Sequence, residues 1–152
     1  MVRIPMVAGN WKMHKTAGEG AILTQHLEDL ARKVKPGVEV VVAPPFTALQ
    51  SVSSAIAFDR SPIRLAAQNV YWEDSGAFTG EIAPPMLADL RVNYVIVGHS
   101  ERRQLFGDTD ETVSRKARAI CAHGMTPIVC CGEELALREA AETLPFIEGQ
   151  IR

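Results

Sequence analysis

Five short apolar runs punctuate the chain: Ile4 to Ala8, Val38 to Ala43, Ile63 to Ala67, Val92 to Val97 and Pro127 to Cys131. None of them alternates strictly between apolar and polar positions. Strands covered on both faces read this way, as in a parallel sheet flanked by helices. The runs recur about every 25 to 35 residues, the length of one strand-plus-helix unit. Between them the period becomes helical. Ile22, Leu23, Leu27, Leu30, Ala31 and Val34 make one apolar stripe, and Val113, Ala117, Ile120, Cys121 and Gly124 make another. Asp108 with Glu111 has the spacing of a capping box ahead of the second stripe, and Gly124 is a natural stop for it. The stretch from Glu133 to Arg152 also reads as helical, with Pro145 opening a second helix inside its first turn. The pattern is therefore a run of five βα units, taken as a single structural unit over residues 1–152. A doubly wound sheet and an incomplete barrel both accommodate such a run.

One segment breaks the rhythm. Asn69 to Ile82 has neither period, and loops this long are uncommon unless functional. Its apolar Val70, Tyr71, Trp72, Ala77 and Phe78 predict burial against something.

Composition narrows the class without naming a function. A chain of 152 residues, 47% hydrophobic and 22% charged, is long enough for one soluble domain with a real core. Its net charge of −2 and lack of a basic run argue against nucleic acid or an anionic membrane as partner. No stretch approaches the ~20 apolar residues of a membrane span. The N-terminus lacks the features of a signal peptide, so a cytoplasmic location is expected. Cys121, Cys130 and Cys131 fall at no ligand spacing and read as reduced packing residues. His14, His26 and His123 have no motif around them and read as structural or surface residues, and Trp11 reads as packing.

Chemistry enters at the ends of two runs. Val7-Ala8-Gly9-Asn10-Trp11-Lys12-Met13 follows the first, and Val95-Ile96-Val97-Gly98-His99-Ser100-Glu101-Arg102-Arg103 ends the fourth. Together they set an amide, an ammonium, an imidazole and a carboxylate at the carboxyl ends of two buried strands, where α/β folds place their sites. Each has a plainer reading when taken alone: a turn-forming Asn10, a solvated Lys12, a hydrogen-bonded structural His99, a surface Glu101. No G-x-G-x-x-G follows the first strand, and no phosphate-loop lysine motif occurs.

At Gly9 to Met13 and at Val97 to Arg103 the sequence closely resembles triosephosphate isomerase. Ala67-Gln68-Asn69-Val70, continuing to Gly76-Ala77-Phe78-Thr79-Gly80-Glu81, looks like that family's long third loop, and Cys130 through Glu134 looks like its fifth strand and following loop. The resemblance implies an α/β fold, the (β/α)8 TIM barrel of ~250 residues, of which this chain carries the first five βα units. It implies interconversion of dihydroxyacetone phosphate and glyceraldehyde 3-phosphate through an enediolate, with no organic cofactor and no metal. His99 then matches the family's electrophilic histidine, the type example of a neutral imidazole polarising a carbonyl from a helix N-terminus. Lys12 matches its active-site lysine, attracting phosphate and oxyanion. Asn10 would donate to the substrate oxygen, and Glu101 would order Lys12. Thr79, with Phe78, Gly80 and Glu81, would reach into a neighbouring subunit and make a dimer or higher oligomer.

The family's glutamate base and its late phosphate-gripping loops have no counterpart among these residues. An open five-strand sheet would also leave two raw edges. A complementary chain of ~100 residues, carrying the remaining βα units, is therefore the expected partner. The alternative is a non-catalytic interaction or scaffold half-barrel that retains the site residues by descent.

Overall fold

A computed structural model describes residues 3–151. Five parallel strands, β1 (Met6–Asn10), β2 (Glu39–Ala43), β3 (Arg64–Ala67), β4 (Tyr94–Val97) and β5 (Thr126–Val129), form one sheet in the order β1-β2-β3-β4-β5. The intervening helices are α1 (Ala17–Ala31), α2 (Phe46–Phe58), α3 (Pro84–Asp89), α4 (Ser100–Phe106), α5 (Asp110–Ala122), α6 (Leu135–Glu139) and α7 (Thr143–Ile151). The register runs through Ala8↔Val41, Val41↔Arg64, Ala66↔Tyr94 and Tyr94↔Thr126. The sheet curls: the Tyr94 hydroxyl on β4 donates to the Glu39 carboxylate on β2, passing across β3 on the concave face. This is a partial TIM barrel.

Two cores explain why the strand runs are apolar without alternation. Val42, Leu65, Val95 and Val97 face outward and pack with Leu49, Val52, Val113 and Ile120 beneath the helices. Val41, Ala43, Ala66 and Ile96 face inward and pack together with Ile128 and Cys130. The central strands β2 to β4 are thus covered on both sides. The edges differ: Val7 of β1 is 64% exposed and Val129 of β5 is 50% exposed. Pro127, which has no N–H to give a ladder, sits on the β5 edge, where a proline is tolerated.

Several boundaries and faces depart from the sequence reading. The first ladder begins at Met6 rather than Ile4, because Pro5 offers only its carbonyl, which accepts from the Glu39 N–H at 2.9 Å. Asn10 is consequently the last residue of β1 instead of lying past it. Helix α1 turns only part of the expected stripe inward, with Leu27 packed against the core beside Ala31. Gly20, Thr24 and Ala31 are buried there, while Ile22 and Leu30 are 54% and 60% exposed. The seam is too close for large side chains: a Cβ on Gly20 would lie 3.3 Å from both Trp11 Cζ3 and Val52 Cγ2. Thr24 satisfies its buried hydroxyl by donating to the Gly20 carbonyl at 2.8 Å. Cys121 and Cys131 are exposed, so of the three thiols Cys130 alone packs against a core cluster. Gly124, at φ 73°, ends α5 as expected, and Pro145 lies in the first turn of α7. No helix among the described residues is long and apolar enough to cross a membrane.

The cap of α5 is Thr109, not Asp108. Thr109 Oγ1 accepts from the Thr112 N–H, and Thr112 Oγ1 accepts from the Thr109 N–H. Asp108 turns inward instead. Its Oδ1 lies 2.8 Å from Lys116 Nζ and its Oδ2 lies 3.1 Å from Arg102 Nε. Lys116 is 3% exposed and donates also to Asn69 Oδ1 at 3.0 Å. This buried pair fastens α4, α5 and the root of the long loop to one point. Burial pushes the Asp108 carboxyl up, but the bond and charge of Lys116, then those of Arg102, outweigh it and hold the group below its usual value.

Removing one partner of a buried ion pair strands the other. Asp108→Leu is expected to cost about 3–5 kcal/mol in urea unfolding at neutral pH, and adding Lys116→Met to recover part of it. Because the folded-state value is depressed, the pair's contribution is complete above about pH 4, the ordinary carboxylate value, and fades as pH falls through the folded value. Unfolding midpoints that match between parent and Asp108→Leu at pH 7 would remove the pair from the account.

Candidate active site

The site is assembled at the carboxyl end of the sheet. Beyond β1, Trp11 packs against the outer core, and its N–H donates to the Ala43 carbonyl at 3.0 Å. This carries the β1–β2 ladder one residue further. Lys12 then adopts φ 53°, the left-handed region that a lysine rarely visits. Three ties hold it there. Its N–H donates to Asn10 Oδ1 at 2.9 Å, its carbonyl accepts from Gln68 Nε2 at 2.8 Å, and its Nζ lies 2.7 Å from Glu101 Oε1. Gln68 Nε2 also reaches the Ala43 carbonyl at 2.8 Å, so one amide clamps the ends of β1 and β2. A backbone conformation of this kind costs about 1–3 kcal/mol and persists when its surroundings over-determine it. Asn10, its oxygen engaged by Lys12, keeps its amide N–H groups as donors.

Beyond β4, Gly98 turns the chain at φ 69°. A Cβ there would lie 2.9 Å from Val113 Cγ2 and 3.2 Å from the Cys130 carbonyl, so the turn admits only glycine. Arg103 braces it, donating from Nε to the Gly98 carbonyl at 2.8 Å and from Nη1 to Asp110 at 2.6 Å. His99 follows as the cap of α4. Its Nδ1 accepts the Glu101 N–H at 3.3 Å. In a neutral ring that accepts at Nδ1, it is Nε2 that carries the proton and can donate. Glu101 Oε2 lies 3.5 Å from the same Nδ1. The hydrogen bond from Lys12, ahead of its charge, holds the Glu101 carboxyl below the usual carboxylate range.

Asn10, Lys12, Gln68, His99, Glu101 and Arg102 line one open cleft of about 280 Å³, with Met13, Phe46 and Phe106 adding apolar surface. The structure thus brings together the four groups singled out in the sequence. It keeps Phe78, Thr79, Gly80 and Glu81 out of this cleft, although Asn69 and Ile82 at the roots of their loop line it. Sequence reasoning gave no role to Gln68 or Arg102. Gln68 had a visible signal, since it is a polar amide at the end of an apolar run, as Asn10 is. Chemically the cleft offers an ammonium, an imidazole and an amide, converging on one space. Among the described residues that line it, Glu101 is the one carboxylate, and it is already bonded to Lys12.

The family model for triosephosphate isomerase matches residues 5–152. The triosephosphate isomerase of Chloroflexus aurantiacus is 50% identical over 151 residues, 99% of this chain and 59% of that protein. That of Pelobacter propionicus is 51% identical over 150 residues, and that of Clostridium perfringens 48% over 150, with the same two coverages. The chain spans about three-fifths of the length of these curated relatives.

The Lys12 tie is testable without catalysis. In Lys12→Met the main downward influence on Glu101 is gone, so its carboxyl should titrate at higher pH than in the parent, nearer the ordinary value. Carboxyl-carbon NMR titration reads this directly. Superimposable curves for parent and variant would mean that the pair does not form in solution.

Proposed function

Because this chain belongs to the triosephosphate isomerase family, we propose that it supplies the electrostatic part of a site interconverting dihydroxyacetone phosphate and glyceraldehyde 3-phosphate. The reaction removes a proton next to a carbonyl and returns it to the neighbouring carbon. Negative charge grows on the carbonyl oxygen as the enediolate forms. Donors fixed before the substrate arrives stabilise that charge without reorganising. His99 would donate from Nε2, Asn10 from its amide, and Lys12 from Nζ, with Glu101 holding the ammonium in place.

The observation that carries this reading is the strained Lys12, tied at its N–H, its carbonyl and its ammonium on the wall of the same cleft as His99. A solvated surface lysine needs none of these restraints. The proton acceptor must come from elsewhere, since Glu101 is committed to Lys12 and has a depressed proton affinity. The remaining βα units of a barrel would supply a glutamate base and phosphate-binding loops. The exposed β1 and β5 edges are where such units would add. The third loop, through Phe78, Thr79, Gly80 and Glu81, would meet a second copy, for which exposed Met13 and Phe106 beside the cleft offer an apolar seat.

The test is complementation. Isomerase activity is expected when the chain is combined with the last three βα units of a family barrel, and native mass spectrometry should find both parts in the active species. In that assembly Lys12→Ala or His99→Gln should lower kcat/KM by about 100-fold or more, with the assembly intact. Thr79→Arg should weaken association between barrels. Full turnover by the Lys12→Ala assembly would overturn the residue roles, and full turnover by the chain alone would overturn the need for a complement. If no glutamate-bearing complement restores activity, the scaffold reading prevails.

A further inference from the structure

The loop from Asn69 to Ile82 contains no helix or strand, yet it is far from slack. Tyr71 stacks on Trp72 with ring centroids 4.0 Å apart, and Phe78 closes on Tyr71 at 4.6 Å. Phe78 folds over Gly76, where a Cβ would sit 2.6 Å from the ring at a φ of +143°. The Tyr71 N–H donates to the Ile82 carbonyl at 2.8 Å and shuts the base of the loop. A second set of contacts comes from α5. The Arg115 guanidinium lies 4.3 Å from the centroid of the Trp72 ring and 3.4 Å from Glu73. Lys116 holds Asn69, and His123 Nε2 lies 3.2 Å from Asp74 Oδ1. Helix α5 and its capping residue His123 therefore grip the loop at its root and along its outer limb.

We propose that α5 locks this loop into its docking shape before a partner arrives, so that a second copy of the chain meets a finished knob. The inference rests on the reading that the loop meets a second copy. Its physical basis is preorganisation. A loop ordered only on binding would deduct its ordering entropy from the affinity, whereas one already set by aromatic packing and cationic contacts does not. Phe78, 41% exposed on this frame, is then presented as an apolar contact.

Arg115 is half exposed, so truncating it leaves the core untouched. Hydrogen exchange measured at a dilution where native mass spectrometry finds monomer tests the lock. In Arg115→Ala, amides of residues 71–81 should exchange about tenfold faster, with β2 to β4 unchanged and Arg115→Lys recovering part of the protection. Sedimentation should find self-association of Arg115→Ala weaker by about tenfold. Equal loop exchange in parent and Arg115→Ala would overturn the lock. A loosened loop with unchanged self-association would overturn its docking role. A parent that never self-associates would sink the second-copy reading and the docking role with it, while the exchange result still decides the lock.

Discussion

The contact between Lys12 Nζ and Glu101 joins the end of β1 to the first turn of α4, two elements 89 residues apart in the chain. Both side chains are about half exposed, so the pair adds little to stability. Its value lies in position. The sheet must curl before the ends of its first and fourth strands can converge, and the turns after those strands must then aim inward. Gly98 permits one turn by having no side chain. Lys12 makes the other against its own preference, under the hold of Asn10 and Gln68. The energy that fixes the site is thus spent in backbone hydrogen bonds beneath it, and the exposed ion pair reports the result.

The same curl explains what the chain leaves open. Val41, Ala66 and Ile96 are buried on the concave face because β2, β3 and β4 shelter one another there. β1 and β5 have a neighbour on one side only, and Val7 and Val129 stay exposed in consequence. An edge with unpaired backbone groups and bare valines is a template for another strand. Closure of the barrel would bury these residues and dry the cleft, and an electrostatic site gains most when water is excluded from it.

The strands and the groups that line the cleft were legible in the sequence for different reasons. Continuous apolar runs encode burial on both faces, so β2, β3 and β4 could be read from hydropathy alone. Asn10, Lys12, His99 and Glu101 were readable from their motifs, since singly each has a bland explanation. What escaped was decided by close approach and competition. Helix α1 buries Gly20 and Thr24 at a tight seam, and a count of apolar positions cannot see a seam made of small residues. Asp108 has capping-box spacing, but a buried lysine claims it, and Thr109 takes the cap. The φ of Lys12 left no trace, because that conformation is imposed by Asn10 and Gln68 from outside the residue.

The chemistry divides along the same line as the fold. Stabilising an enediolate calls for donors whose pull is greatest once charge has developed, and in the proposed reaction His99, Lys12 and Asn10 would be of that kind. Creating the charge calls for a base with appreciable proton affinity beside the substrate carbon. Glu101 is held by its bond from Lys12, which also lowers its affinity for a proton. One carboxylate cannot serve both tasks at once. On the proposed reading, a site built on the first five βα units would hold and polarise the substrate, and the proton transfer would fall to a group from the rest of a barrel.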